Sequence, residues 1–200
     1  MDGSLADTAP GATGVHASPD LDTPLDAHRL RMYRGSFLLV ILTESLGFLT
    51  LFSVRFLLAG LGRPAELNGV LGIMITLAFA GSAVPAVWAL RAIRAGDREA
   101  MVFRLDVALG LGLAAFWFVV ADLSSSTIAP ASRFGGIYFA TIGFHAIHIL
   151  VGLVFLAALR SSGRRGRFNA ANHWLVEAGV RFWLFVVAAW LAVYIVFYWL

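Results

Sequence analysis

His145 and His148 stand near the middle of the stretch 132–159, SRFGGIYFATIGFHAIHILVGLVFLAAL, which is otherwise apolar enough to cross a bilayer. On a helix, positions three apart share a face. Imidazoles on such a face inside hydrocarbon must meet another protein face, a polar part of a lipid, or water. Haem ligation is one reading. A membrane b-type haem takes axial ligands from facing helices at matched depth. Two histidines on one face of one helix cannot both serve one haem, and in the membrane region only His173 remains, at the edge of the next apolar run. Copper or zinc needs at least one more nitrogen or sulfur ligand nearby, and none is evident. Interhelical hydrogen bonding is the expectation for this pair.

Glu44 lies in ILTESLGFLTLF, inside another apolar run. An ionised carboxylate at such a position costs at least a few kcal/mol, so it is either protonated or paired. It handles protons, or it is a neutral carboxyl bonded to a neighbouring helix. His173, Glu177 and Arg181 recur every four residues and form one polar ridge at the start of the last apolar run. Glu177 and Arg181 can pair there as an interfacial ion pair, or the ridge can share a lipid headgroup or a network with the histidines. Trp190, Tyr194 and Tyr198 make an aromatic stripe at the same spacing, which reads as packing or interface anchoring. The sequence shows no Gly-rich phosphate loop, no nucleophile–base pair and no metal-ligand cluster.

The elements that carry these residues are membrane spans. The chain of 200 residues is 60% hydrophobic, with mean hydropathy +0.82, well above the roughly 45–50% apolar content of soluble domains. Five apolar segments, about 36–58, 69–90, 105–123, 134–159 and 174–200, each approach the roughly 20 residues that span hydrocarbon. Short loops predict an all-α bundle in which consecutive helices are antiparallel neighbours. Residues 1–28 read as a disordered hydrophilic tail, and 29–200 as the five-helix transmembrane domain. The tail lacks the basic start and apolar core of a signal peptide. All fifteen basic residues are Arg. They gather before the first span and in the second and fourth loops, which places the N-terminus inside and the C-terminus outside. The basic balance thus reports topology, and no nucleic-acid partner is expected. The absence of Cys excludes disulfides, Cys-ligated zinc, iron–sulfur clusters and c-type haem attachment.

The last two spans resemble subunit III of haem–copper oxidases, the cytochrome c and quinol oxidase family. Around its sixth helix that family reads S-x-F-G, then T-G-F-H-G-x-H-V, then G. This chain has Ser132, Phe134 and Gly135, then Thr141, Gly143, Phe144, His145 and His148, then Gly152, with Ala146 in place of the family Gly. The family's last helix reads H-x3-E, then Y-W-H-F-V-D-V-V-W, Y and Y-W. Here it is His173, Glu177, Phe182-Trp183-Leu184-Phe185-Val186-Val187-Ala188-Ala189-Trp190, Tyr194 and Tyr198-Trp199, without a gap from Glu177 to Trp199. Thr43-Glu44 is similar to the Ser-Glu of the family's third helix. The resemblance covers about 36–200. Departures are Leu184 for His, Val187 for Asp and Arg181 for an aromatic. The Gln and Glu near the end of the family's fifth helix are not evident in FWFVVADLSSS. Five spans look like the short form of the family, without the first two helices of the seven-helix version.

The resemblance implies a non-catalytic subunit that binds no haem or copper itself. Its partner would be the catalytic subunit I, which holds those cofactors, together with other oxidase subunits. Family members hold phospholipid in a cleft between helices and support sustained turnover and proton uptake. Glu44, His145, His148, His173, Glu177 and Arg181 then carry over as structural or lipid-associated positions, in a multi-pass protein of the bacterial cytoplasmic membrane. Three other readings stand beside it. They are an accessory subunit of nitric oxide reductase, a small haem-bearing electron-transfer protein using His145 or His148, and a proton-coupled carrier built around Glu44.

Overall fold

A computed structural model describes residues 26–62 and 64–200. Residues 1–25, most of the expected tail, and Arg63 lie outside the described residues. Five helices run in order: α1 Ala27–Ala59, α2 Gly69–Arg94, α3 Arg98–Ser125, α4 Arg133–Arg164 and α5 Trp174–Tyr198. All five are long and apolar enough to cross a membrane. No strand occurs among the described residues.

Most helices overrun the apolar windows, because an apolar window marks hydrocarbon, whereas a helix continues until something ends it. The starts of α1 to α4 are fixed by side-chain caps that satisfy free N–H groups. Asp26 accepts from the Arg29 N–H at 2.7 Å, Asp97 from Ala100 at 2.9 Å, and Ser132 from Gly135 at 2.9 Å. Asn68 accepts from both Val70 and Leu71. The Arg29 N–H holds the exposed Asp26 carboxyl below the ordinary carboxylate range. Ala27 and His28, placed in the tail by composition, are therefore the first residues of α1. Gly96 and Gly166, at φ 83° and 78°, supply the left-handed residues that turn the chain after α2 and α4.

α2, α3, α4 and α5 pack in a ring, each beside the next, with α5 returning to α2. Phe79, Trp183, Trp190, Ile75 and Ile142 fill its centre. Trp183 is clamped between two helices. A Cβ at Gly112 on α3 or at Gly152 on α4 would sit 2.7 Å from its indole. Its Nε1–H donates to Ser82 Oγ on α2 at 3.0 Å. Glycine at both positions lets the backbones close on a large side chain.

α1 stands outside this ring, on α4 and α5, and its backbone does not approach α2. The expectation that all consecutive helices are neighbours fails here. The inward stripe of α1 is Arg34, Phe37, Ile41, Glu44, Phe48, Phe52 and Arg55, spaced by three or four residues. Its charged members have partners on α4, α5 and the ends of the bundle, while α2 spends its inner face on α3 and α5. α1, α3 and α5 run one way, and α2 and α4 the other. The first described residues and the C-terminus thus lie at opposite ends. Arg34, Arg94, Arg98, Arg104, Arg160 and Arg164 cluster at the end where α1 begins.

Candidate functional site

α1 buries only Phe48 and Arg55 fully, so its attachment depends on a few specific contacts at three depths. At the cationic end, Glu177 in the first turn of α5 is 1% exposed. Its Oε2 accepts from Arg34 of α1 at 2.8 Å and lies 3.3 Å from Arg94 of α2. Its Oε1 lies 2.6 Å from Arg181, one turn further along α5. Three half-exposed guanidinium groups from three helices therefore converge on one buried carboxylate. Without them that charge could not stay out of water. Tyr33 and Phe37 pack on Trp174 beside this node.

Ten residues along α1, about 15 Å higher, is Glu44. Its Oε2 lies 3.1 Å from His148 Nε2 on α4. His148 Nδ1 lies 2.9 Å from the Phe144 carbonyl, one turn back. A carbonyl only accepts, so Nδ1 carries a hydrogen, and the orientation of the ring is fixed by the helix beneath it. Glu44 remains 39% exposed, because it borders a cleft of about 560 Å³ between α1 and α4, lined by Phe37, Val40, Phe144, Val151, Phe155 and Phe182. A second apolar hollow of about 160 Å³ lies towards the cationic end, against Leu159, Ser162, Leu175 and Gly179. Phe37 and Phe155 border both.

At the far end Arg55 is wholly buried. Its guanidinium donates to the Gly60 and Gly62 carbonyls just past α1, and lies 4.7 Å from the Phe134 ring and 5.8 Å from that of Phe197. Those carbonyls and aromatic faces replace water around the cation. Close by, Asp122 Oδ2 accepts from both Tyr138 and Tyr198, and joins α3, α4 and α5.

The residues singled out by sequence separate into distinct sites. His148 and Glu44 meet. His145 does not join them by a hydrogen bond. Its ring is fully buried among Phe48, Phe79 and Trp190, at centroid distances of 5.9, 5.7 and 5.6 Å, and neither nitrogen has a hydrogen-bond partner among the described residues. The expectation of interhelical hydrogen bonds thus holds for His148 alone. One turn of helix puts His148 on the cleft side of the α4 face and turns His145 into the aromatic centre.

Glu177 and Arg181 pair as their spacing suggests. Their node, however, is completed by Arg34 and Arg94 and does not reach the histidines, so the shared-network reading is overturned. A superficial ion pair at a helix end is likewise corrected, because Glu177 is buried. His173 is the N-cap of α5 and makes no side-chain cap bond. Its Nδ1 pairs with the Ala170 carbonyl at 2.8 Å. Within the aromatic stripe, Trp190 donates to Thr76 at 2.9 Å and Tyr198 to Asp122 at 2.7 Å, in keeping with packing.

Sequence reasoning missed Arg34, Arg55, Asp122 and Tyr138 as partners. Arg34 and Arg55 stand ten and eleven residues from Glu44, close to three helical turns on either side. Their shared face was thus available from spacing alone. Arg94 had no such signal, because its partner belongs to another helix.

The fold and its contacts define a multi-pass helical membrane protein whose interior charges tie helices together beside an open cleft. The sequence profile of cytochrome c oxidase subunit III matches residues 28–200. Among individual relatives, cytochrome c oxidase subunit 3 of Sus scrofa is 28% identical over 183 residues, covering 83% of this chain and 69% of the relative. That of Bos taurus gives the same identity and coverage. The Tetraodon nigroviridis protein of the same name is 30% identical over 131 residues, covering 64% and 49% of the two chains. This chain belongs to the cytochrome c oxidase subunit III family. The resemblance read over about 36–200 is thereby confirmed, and the match begins at residue 28.

Proposed function

We propose that this chain is the non-catalytic subunit III of a cytochrome-c-oxidase-type terminal oxidase. It packs on catalytic subunit I, which carries the haem and copper, and supports that subunit's stability and proton uptake. The observation that carries this reading is the family match over 28–200. The chemistry agrees. Glu44, His148, Glu177, Arg181 and Asp122 are engaged in contacts within or between helices, as expected of a scaffold. Val187 is buried in apolar surroundings at the family's Asp position, so this chain does without the polar pair of the last helix.

The cationic end lies on the cytoplasmic side of a bacterial inner membrane, by the positive-inside rule. This puts the start of α1 inside and the end of α5 outside. Arg34, Arg94 and Arg181 outnumber Glu177 beside the smaller apolar hollow. An anionic phospholipid suits that combination, with its headgroup on the guanidinium groups and an acyl chain below.

The test is gentle detergent purification of the tagged full chain from its native membrane. A haem-bearing multi-subunit oxidase should accompany it. Recovery as a colourless single chain, under conditions that keep other respiratory complexes whole, would refute the assignment. Co-purification with a haem-bearing nitric oxide reductase would redirect it to that partner.

A further inference from the structure

We propose that the mid-depth cleft between α1 and α4 binds a membrane-dissolved hydroquinone, whose O–H donates to Glu44 Oε1 while its ring lies among the phenylalanines. The inference is independent of the partner assigned above.

Counting hydrogens gives the first reason. His148 Nδ1 donates to the Phe144 carbonyl. The contact between His148 Nε2 and Glu44 Oε2, at 3.1 Å, then needs one hydrogen. Whether that hydrogen rides on the imidazole or on the carboxyl, those two atoms satisfy each other. Oε1 is left as an acceptor in either case. Nothing among the described residues donates to it, and the side chain is 39% exposed to the cleft. An acceptor facing an apolar space binds best a ligand that brings a donor.

Depth gives the second reason. Glu44 is about 15 Å along α1 from Arg34, at the middle of a helix whose ends carry the charges. A phospholipid headgroup anchored by those arginines does not reach that level, and an acyl chain that does reach it has no donor. A quinol headgroup on an isoprenoid tail moves freely at this depth.

Shape gives the third. The cleft, of about 560 Å³, presents Phe37, Phe144, Phe155 and Phe182 to a flat ring. Exposed Val40, Ile147 and Val151 at its rim leave it open sideways. The oxidised quinone has carbonyls in place of hydroxyls and cannot donate, so the site distinguishes the two redox forms. A protonated fatty acid shares the O–H donor but brings no ring.

The full chain in phosphatidylcholine nanodiscs provides the test. Anaerobic partition of a decyl-substituted benzoquinol between loaded and empty discs is compared with that of the matching quinone and of oleic acid. The quinol should bind saturably and about tenfold more tightly than the quinone. Glu44→Gln should retain quinol binding within about threefold, because its amide donates to His148 Nε2 and leaves its oxygen as acceptor. Glu44→Leu should weaken quinol binding about tenfold while leaving the weak quinone binding unchanged. Equal affinity for quinol and quinone, an unchanged affinity in Glu44→Leu, or tighter binding of oleic acid than of the quinol would each overturn the proposal.

Discussion

Replacing Glu177 by glutamine removes the one negative charge on which Arg34, Arg94 and Arg181 converge, at 2.8, 3.3 and 2.6 Å. Two independent routes give the size of the effect. Each guanidinium group is 41–47% exposed, so each pair counts as a surface pair of up to about 1 kcal/mol, and the three together give up to about 3 kcal/mol. Removing one partner of a buried ion pair costs about 3–5 kcal/mol when the charge left behind stays buried. The arginines can swing into water, which favours the lower figure of about 3 kcal/mol. For a chain of this length that corresponds to a fall in Tm of about 6–12 °C. Arg34→Gln leaves Glu177 two partners and should lose only about 1 kcal/mol.

Thermal unfolding in one detergent, followed by near-ultraviolet circular dichroism, measures both variants. Because the chain has no cysteine, Leu38→Cys on α1 and Leu175→Cys on α5, both exposed, can carry spin labels without background. The α1–α5 distance distribution should broaden in Glu177→Gln, since this node holds one end of a helix that is otherwise little buried. A Glu177→Gln protein no less stable than Arg34→Gln, with an unchanged distance distribution, would refute the idea that this node anchors α1.

Other substitutions probe the remaining contacts. Gly152→Ala should destabilise by about 1–3 kcal/mol through its clash with Trp183, whereas Gly143→Ala, whose new Cβ meets nothing within 4 Å, should be neutral or stabilising in the same thermal scan. Adding Trp183→Phe to Gly152→Ala should recover part of the loss, giving a double-mutant coupling of at least about 0.5 kcal/mol. Asp122→Leu removes the carboxylate to which the Tyr138 and Tyr198 hydroxyls both donate, and should lower stability by about 1–3 kcal/mol, seen as a lower Tm. In affinity purification, Glu44→Gln should recover the oxidase partner as wild type does. Glu44→Lys, which places a cation opposite His148 at mid-membrane, should recover much less.

Glu44 shows how far spacing alone could carry the reading. A carboxyl in the middle of a span had to be neutral or paired, because hydrocarbon offers it no water, and that constraint is visible in one dimension. It could not name His148, because the partner lies 104 residues away. The same limit explains Glu177. Its pairing with Arg181 follows from one turn of helix, but its burial comes from Arg34 and Arg94, delivered by two other helices. His145 and His148 are the sharpest case. Three-residue spacing put both on one broad face. Only the packing of α1, α2 and α5 against that face separated a hydrogen-bonded histidine from one enclosed by aromatic rings.

The sequence by itself determined five apolar spans, the clustering of arginines in alternate loops, the polar positions within the spans and the family pattern of α4 and α5. Each follows from local chemistry, namely the free energy of placing a side chain in hydrocarbon and the 3.6-residue turn. The tertiary structure alone decided that α1 leaves α2 and leans on α4 and α5, and so where the cleft opens. In hydrocarbon no hydrophobic drive sorts helix partners. The choice falls to a few close contacts, Arg34 with Glu177, Glu44 with His148 and Arg55 with Phe134, whose members are scattered along the chain.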